Sequence, residues 1–201
     1  LSVPGKKVHT SVYTQAINLF PGATGPLMVH RLDQSTSGLM VIALHIDAYR
    51  FIQKQFLRKT IAKTYVAILE KDISGSFPDE GSINLPLRVD LEDRPRQVVC
   101  HEYGRNALTT YKILNIVDGK TIIRFHPVTG RTHQLRVHAA HHLGLNAPIE
   151  GDDLYGTRKD RLYLHAETIT FKHPTTREIM TFQSKAPFCQ EHLQAITAQE
   201  D

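Results

Sequence analysis

The stretch HRLDQSTSGLMVIAL, His30 to Leu44, sets a polar, hydroxyl-rich block directly against a short apolar run. The run GLMVIA, Gly38 to Ala43, carries the β-branched Val41 and Ile42 and has Ser, Thr and Gly on its leading side, which predicts a buried strand. Loops at strand ends are frequent places for chemistry, because the sheet fixes the geometry while the loop stays accessible. Asp33 is the acid of this block, with Arg31 before it and Ser35, Thr36 and Ser37 after it. Its ordinary use would be to cap a turn while Arg31 pairs on the surface.

Working outward, the lead-in from Leu1 to Gly25 reads as loop, punctuated by Pro4, Gly5, Pro21, Gly22 and Gly25. Downstream, Asp47 is the expected N-cap of a helix, since Ala48, Phe51, Ile52 and Phe56 recur at helical spacing. Arg58 and Lys59 suit its last turn. KTYVAILE, Lys63 to Glu70, reads as a strand, and Asp79 to Gly81 and Asp90 to Arg96 as loops. Leu108–Ile116 and Lys120–Phe125 flank Asp118-Gly119, a hairpin signal. Thr132 is the expected cap of a helix reaching Leu143, with Gly144 at its C′ position. Leu162–Lys172 and Glu178–Gln183 form a second hairpin around Pro174, and a last helix is expected from about Gln190. Hairpins with helices set outside them predict an α+β domain on a mainly antiparallel sheet.

The 201 residues are expected to form one domain, 1–201. Apolar residues are 41% and charged residues 22%, an ordinary globular composition. No apolar run approaches the ~20 residues that cross a bilayer. No signal-peptide pattern is present, and because the chain starts at Leu1 without Met, residues upstream are expected to be missing. Two distant cysteines, Cys100 and Cys189, argue against a disulfide scaffold or a cysteine zinc site and favour a reducing cytoplasm. A formal charge of +4 and a pI of about 9.1 tolerate a polyanionic partner without requiring one.

A second polar cluster is HPVTGRTHQLRVHAAHHLG, His126 to Gly144, in which Arg131 offers a planar fork able to clamp a carboxylate or a phosphate. Together, HRLDQSTSG, KTYVAIL, GRTHQLRVH, PIEGDDLYG and LYLHA occur in an order that closely resembles the RluA family of pseudouridine synthases, from about Pro4 to Phe188. That resemblance implies a pseudouridine synthase catalytic fold, a mixed, mainly antiparallel sheet flanked by helices and loops around an RNA-binding cleft. It implies an isomerase that detaches uracil from its ribose, turns it and rejoins it through carbon, with no cofactor and no metal. Asp33 matches the essential carboxylate, Tyr65 the tyrosine that stacks on the base and is placed to strip the proton from the carbon that becomes attached, Arg131 the arginine that pairs with the aspartate, and Leu164 the apolar residue against the flipped uracil. His30 and Arg31 beside the aspartate, and Arg94 and Arg96 on the charged loop, are expected to contact the substrate. LPLRVDLEDRPRQVVC, Leu85 to Cys100, resembles the branch acting on both 23S large-subunit rRNA and tRNA. The implied partner is a structured RNA stem-loop; no membrane is expected, and since nothing in the sequence demands a dimer the expected state is a monomer.

Two other readings stand beside this one: an RNA-binding domain of the same fold without the chemistry, and a metal-dependent hydrolase. The second would draw on twelve histidines, with His138, His141 and His142 at helical spacing. No HExxH pattern accompanies them, and local polar or RNA-backbone contacts are the expected use. Asp152 and Asp153 in GDDLYG are read as structural rather than as magnesium ligands.

Overall fold

The structure is a computed structural model that describes residues 11–25 and 27–188. In chain order the elements are α1 (Val12–Leu19), β1 (Ser37–Gly38), α2 (Ile46–Leu57), β2 (Ala62–Leu69), β3 (Glu80–Asn84), β4 (Leu87–Val89), β5 (Gln97–Val99), β6 (Leu108–Val117), β7 (Lys120–Pro127), α3 (Gln134–Ala140), β8 (Leu164–Lys172) and β9 (Ile179–Gln183). Seven strands form one sheet in the order β1-β8-β2-β7-β6-β3, with β9 on β8, while β4 and β5 make a separate ribbon. Only the β1–β8 pairing is parallel in that sheet. This is the expected α+β, mainly antiparallel architecture.

The central strand β2 is buried on both faces, and its side chains divide with period two. Ala67 and Leu69 enter a core with Ile123, Phe125 and Tyr111 of the sheet and Leu135 and Ala139 of α3, whereas Val66 and Ile68 pack with Ile122, Ala186 and Phe188 on the opposite face. A third cluster joins Ala48 and Ile52 of α2 to Ile169 and Phe171 of β8. Both hairpins form where the turn residues predict them. At the β6–β7 turn Asp118 has φ 51° and Gly119 φ 71°, the left-handed pair a two-residue hairpin turn demands.

Several local expectations need correction. The lead-in holds a helix, α1, fixed by a reciprocal cap: Thr14 N–H donates to Ser11 Oγ (3.1 Å) and Ser11 N–H to Thr14 Oγ1 (2.8 Å). The Gly38–Ala43 run pairs little; β1 covers Ser37–Gly38, and beyond it, among the described residues, only Ile42 bridges, to Met28. Helix α2 is capped by His45, whose Nδ1 accepts from Ala48 N–H, and Asp47 lies in its first turn. Glu80 and Gly81, expected in a loop, belong to β3. Helix α3 begins after His133 and ends at Ala140, because His133 takes a left-handed conformation (φ 52°) and His141 an extended one (ψ 140°). Cys189 and the helix expected from Gln190 lie outside the described residues; Cys100 is a half-buried free thiol.

Candidate active site

Strands β2 and β8, the His30–Thr36 loop and the Pro127–Thr132 loop ahead of α3 enclose a cleft of ≈ 270 Å³. That is near the roughly 300 Å³ lower bound for small-ligand pockets, the scale of one small ring system rather than a large ligand. Asp33, Tyr65, Arg131 and Leu164 all line it, although they are separated by up to most of the chain's length in sequence.

Gly38 holds the Asp33 loop in place. Its φ is +108°, and a Cβ there would lie 2.3 Å from Ala166 O, so only glycine allows the loop to lie against β8. Leu39 N–H donates to the same Ala166 carbonyl (3.0 Å), and Thr36 N–H closes the turn onto Asp33 O (3.0 Å). Ser37 Oγ meets His165 Nδ1 (2.9 Å) and accepts from Arg161 (2.8 Å). Tyr65 enters the cleft where β2 slips register against β8 between Thr64 and Tyr65, a bulge that re-aims a side chain at a site. Burial, and after it the Asp33 charge, pushes the Tyr65 phenol up to about 12, so it is a neutral hydroxyl at physiological pH.

On the far wall, buried Gln134 fixes the arginine loop. Its Oε1 accepts from Arg131 N–H (3.0 Å) and from Thr129 Oγ1 (2.7 Å), while its Nε2 donates to Leu108 O (3.0 Å) and Thr109 Oγ1 (2.9 Å). The expected ion pair between Arg131 and Asp33 is not formed among the described residues. Arg131 Nε donates instead to Asn106 O (3.0 Å), and its side chain is exposed. Both groups face one cleft, but the guanidinium is held by a backbone carbonyl on the β6 side.

The cation placed firmly near Asp33 is a different one. Buried Arg136 is clamped in two places by buried Asp152 (2.6 and 2.7 Å) and touches Asp153 (3.0 Å). Asp152 also accepts from Leu154 and Tyr155 N–H, which bears out its structural reading. Tyr155 OH in turn meets His133 Nδ1 (2.9 Å). The Asp33 charge is felt at His133, Arg136 and Tyr155 as well as at Tyr65, and Asp33 lines a second hollow together with Arg31, His133, Arg136 and Pro95.

His30 lines the cleft, but its Nε2 accepts from Val41 N–H (2.9 Å) and its ring packs on Phe56 (4.9 Å). Burial, reinforced by Lys63, drops its pKa to about 4, so His30 is a neutral strut with its ring proton on Nδ1. Arg31 borders both hollows and is exposed. Arg94 and Arg96 do not line the cleft: Arg94 is exposed on the β4–β5 loop, and Arg96 pairs with Asp93 (3.0 Å) and lies 6.0 Å over the Tyr155 ring. The helix histidines are otherwise engaged. His138 is wholly buried, bonded to Thr109 Oγ1 (3.0 Å) and Leu85 O (3.3 Å), and is a core group rather than an RNA contact; His141 stacks on His142.

Sequence reasoning missed Lys63, Gln134 and Arg136. Lys63 Nζ lies 5.8 Å over the Phe56 ring inside the cleft with its pKa lowered by burial, and it enters no ion pair among the described residues. Its signal was its position two residues before Tyr65 on the same strand face.

A sequence profile for the RNA pseudouridylate synthase family matches residues 2–141. The dual-specificity RNA pseudouridine synthases RluA of Haemophilus ducreyi and of Escherichia coli K12 are 39% and 40% identical to the chain, covering 94% of it and 86% and 85% of their own lengths. Among solved structures, human RNA pseudouridylate synthase domain containing 1 superposes with a TM-score of 0.74 at 29% identity, over 89% of this chain and 75% of that one. Human domain containing 4 gives 0.67 at 25% identity, over 83% and 74%. With a profile spanning most of its length, and with such relatives aligned nearly end to end, the chain belongs to the RNA pseudouridylate synthase family.

Proposed function

We propose that this chain converts specific uridines of a structured RNA into pseudouridine, with Asp33 as the carboxylate that acts at the ribose. The observation that carries the reading is the convergence of Asp33, Tyr65, Arg131 and Leu164 on a single base-sized cleft. The reaction breaks the bond from uracil N1 to the ribose, joins C5 in its place, and moves one proton off C5 while N1 gains one. Nothing is consumed. A carboxylate beside the electron-poor sugar carbon serves as nucleophile or proton acceptor. Leu164, 2% exposed, and the neutral Tyr65 phenol supply the apolar and stacking walls that keep the detached base captive. Extruding the nucleotide costs a few kcal/mol, which stacking and the cationic groups of the cleft offset. Arg131 reaches Asp33 or the substrate phosphate on this reading once RNA displaces its bond to Asn106.

The finer assignments belong to the same proposal. The substrate is a stem-loop of rRNA, tRNA or both, a choice that fits relatives called dual-specificity RNA pseudouridine synthases; on this reading the protein acts as a monomer in the cytoplasm, without a metal. No described helix is long and apolar enough to cross a membrane. A stem-loop RNA carrying tritium at uracil C5 tests the reading: the protein releases tritium to water in step with pseudouridine formation. Binding without release would mean that the fold has kept RNA and lost the chemistry.

A further inference from the structure

We infer that a second RNA-binding surface lies outside the cleft, on the corner where α2 turns into β2, and that it takes the phosphate backbone of the stem carrying the target nucleotide. This rests on the proposed reading for the identity of the polyanion. Helix α2 ends at Leu57 with Arg58 as C-cap, Lys59 adopts φ 55°, and β2 starts at Ala62. So tight a turn sends successive side chains to opposite sides. Arg58 and Thr60 line a hollow of ≈ 540 Å³ between α2 and the β8–β9 hairpin, whereas Lys59 and Ile61 line one of ≈ 320 Å³ on the other side. The smaller hollow shares Phe56, Lys63, Thr129, Gly130 and Arg131 with the cleft. Cleft, inner hollow and outer hollow therefore follow one another across the surface.

Outside the cleft, the charge along this path is of one sign. The outer hollow presents Lys54, Arg58, Lys172 and Arg177, and the inner one Lys59, Lys63 and Arg131; among the described residues no carboxylate lines either. None of these cations enters an ion pair among the described residues, where Arg50, Arg96, Lys112, Lys120, Arg124, Arg136 and Lys159 all do. In a chain with 24 basic and 20 acidic residues, a run of described cations with no acid among them is a marked asymmetry, and a polyanion relieves its self-repulsion more fully than dissolved salt does.

The outer hollow also has a fixed frame. Buried Gln55 ties α2 to the end of β8, donating to Lys172 O (3.0 Å) and accepting from Lys172 N–H (2.9 Å). The Arg177 guanidinium lies 3.9 Å over the Phe51 ring, which occupies its face and leaves its edge donors outward. Exposed cations spread along a rim, rather than converging inside a closed pocket, suit successive phosphates better than one small anion. Continuity with a cleft that takes a nucleotide makes those phosphates part of the same RNA.

The test compares the parent with the fourfold variant Lys54→Gln, Arg58→Gln, Lys172→Gln, Arg177→Gln on two tritiated stem-loops, one with a minimal stem and one a helical turn longer. Affinity is read by fluorescence anisotropy across a salt series, and turnover by tritium release. The parent is expected to bind the long stem more tightly than the short one. The variant is expected to lose that gain, weakening on the long stem by roughly tenfold or more and flattening the salt slope by about 2–4, while kcat on the minimal stem stays within about twofold of the parent. The charge-preserving variant Lys54→Arg, Arg58→Lys, Lys172→Arg, Arg177→Lys restores long-stem affinity, which separates lost charge from lost folding. Equal affinity and equal slope for parent and fourfold variant on the long stem overturn the inference. A parent that binds but releases no tritium overturns the isomerase reading alone.

Discussion

Tyr65 differs from the part its position first suggests. A tyrosine touching the base invites the role of proton acceptor at C5, yet its phenol is pushed up to about 12, chiefly by burial, so it holds its proton across the range in which the protein works. The Tyr65→Phe variant is therefore expected to bind RNA within a few-fold of the parent, since the stacking face survives. Its kcat/KM–pH profile between about pH 6 and 10 should keep the parent's shape, because a limb from a phenol near 12 lies outside that window. A limb in that range that vanishes in Tyr65→Phe would contradict the assignment. The residues around Asp33 were only partly legible in the sequence. Motif resemblance brought Asp33, Tyr65, Arg131 and Leu164 to one cleft, but it carried no information on the resting contact of Arg131 with Asn106, nor on the engagement of the His30 ring with Val41. The first reaches back 25 residues to another segment, and the second folds the His30–Leu44 stretch onto itself, which no spacing rule announces.

At the scale of elements, the fold was mostly legible where a short-range rule decides it. Asp118-Gly119 sets its hairpin through backbone conformation, and β2 and α2 announce themselves by periodicity. Where a long-range contact decides, the reading failed. The Gly38–Ala43 run has the composition of a strand, but Val41 N–H is taken by the His30 ring and Ala43 N–H by Leu27 O, so no continuous ladder forms. Helix α1 was instead a local miss, because its Ser11–Thr14 reciprocal cap is hidden among turn residues. The contact that matters most for function is the approach of Gly38 to β8. Gly38→Ala would force a Cβ against Ala166 O at a left-handed φ, costing on the order of 1–3 kcal/mol. It should also shift the Asp33 loop enough to lower kcat by about 100-fold. Thermal unfolding and single-turnover kinetics check both effects. Gln134→Leu is expected to lower stability by about 1–3 kcal/mol, since it removes the interior hydrogen bonds of Gln134 to Leu108 O, Thr109 and Thr129 and leaves each with fewer partners. It also frees the Arg131 loop, so denaturant unfolding and turnover should fall together.

Across the whole molecule, the site is supported by a polar seam through the core: Gln134 to Thr109, Thr109 to His138, His138 to Leu85 O. Burial lowers His138 from 6.5 to about 4. As pH falls below 6.5 the unfolded chain takes up this proton before the native one does, so stability is full above about pH 6.5 and drains away toward pH 4. His138 alone accounts for about 3 kcal/mol of that loss. Denaturant unfolding at stepped pH should show this acid limb in the parent and a shallower one in His138→Gln; equal limbs would assign the acid sensitivity elsewhere.

The central claim is that one carboxylate performs the chemistry while the rest of the cleft holds the RNA. It is tested most directly by Asp33→Asn, which keeps the shape of the side chain and removes its charge. On the tritiated stem-loop under single-turnover conditions, the account predicts RNA affinity within a few-fold of the parent and no tritium release above background. Release by Asp33→Asn at a rate near the parent's would contradict it.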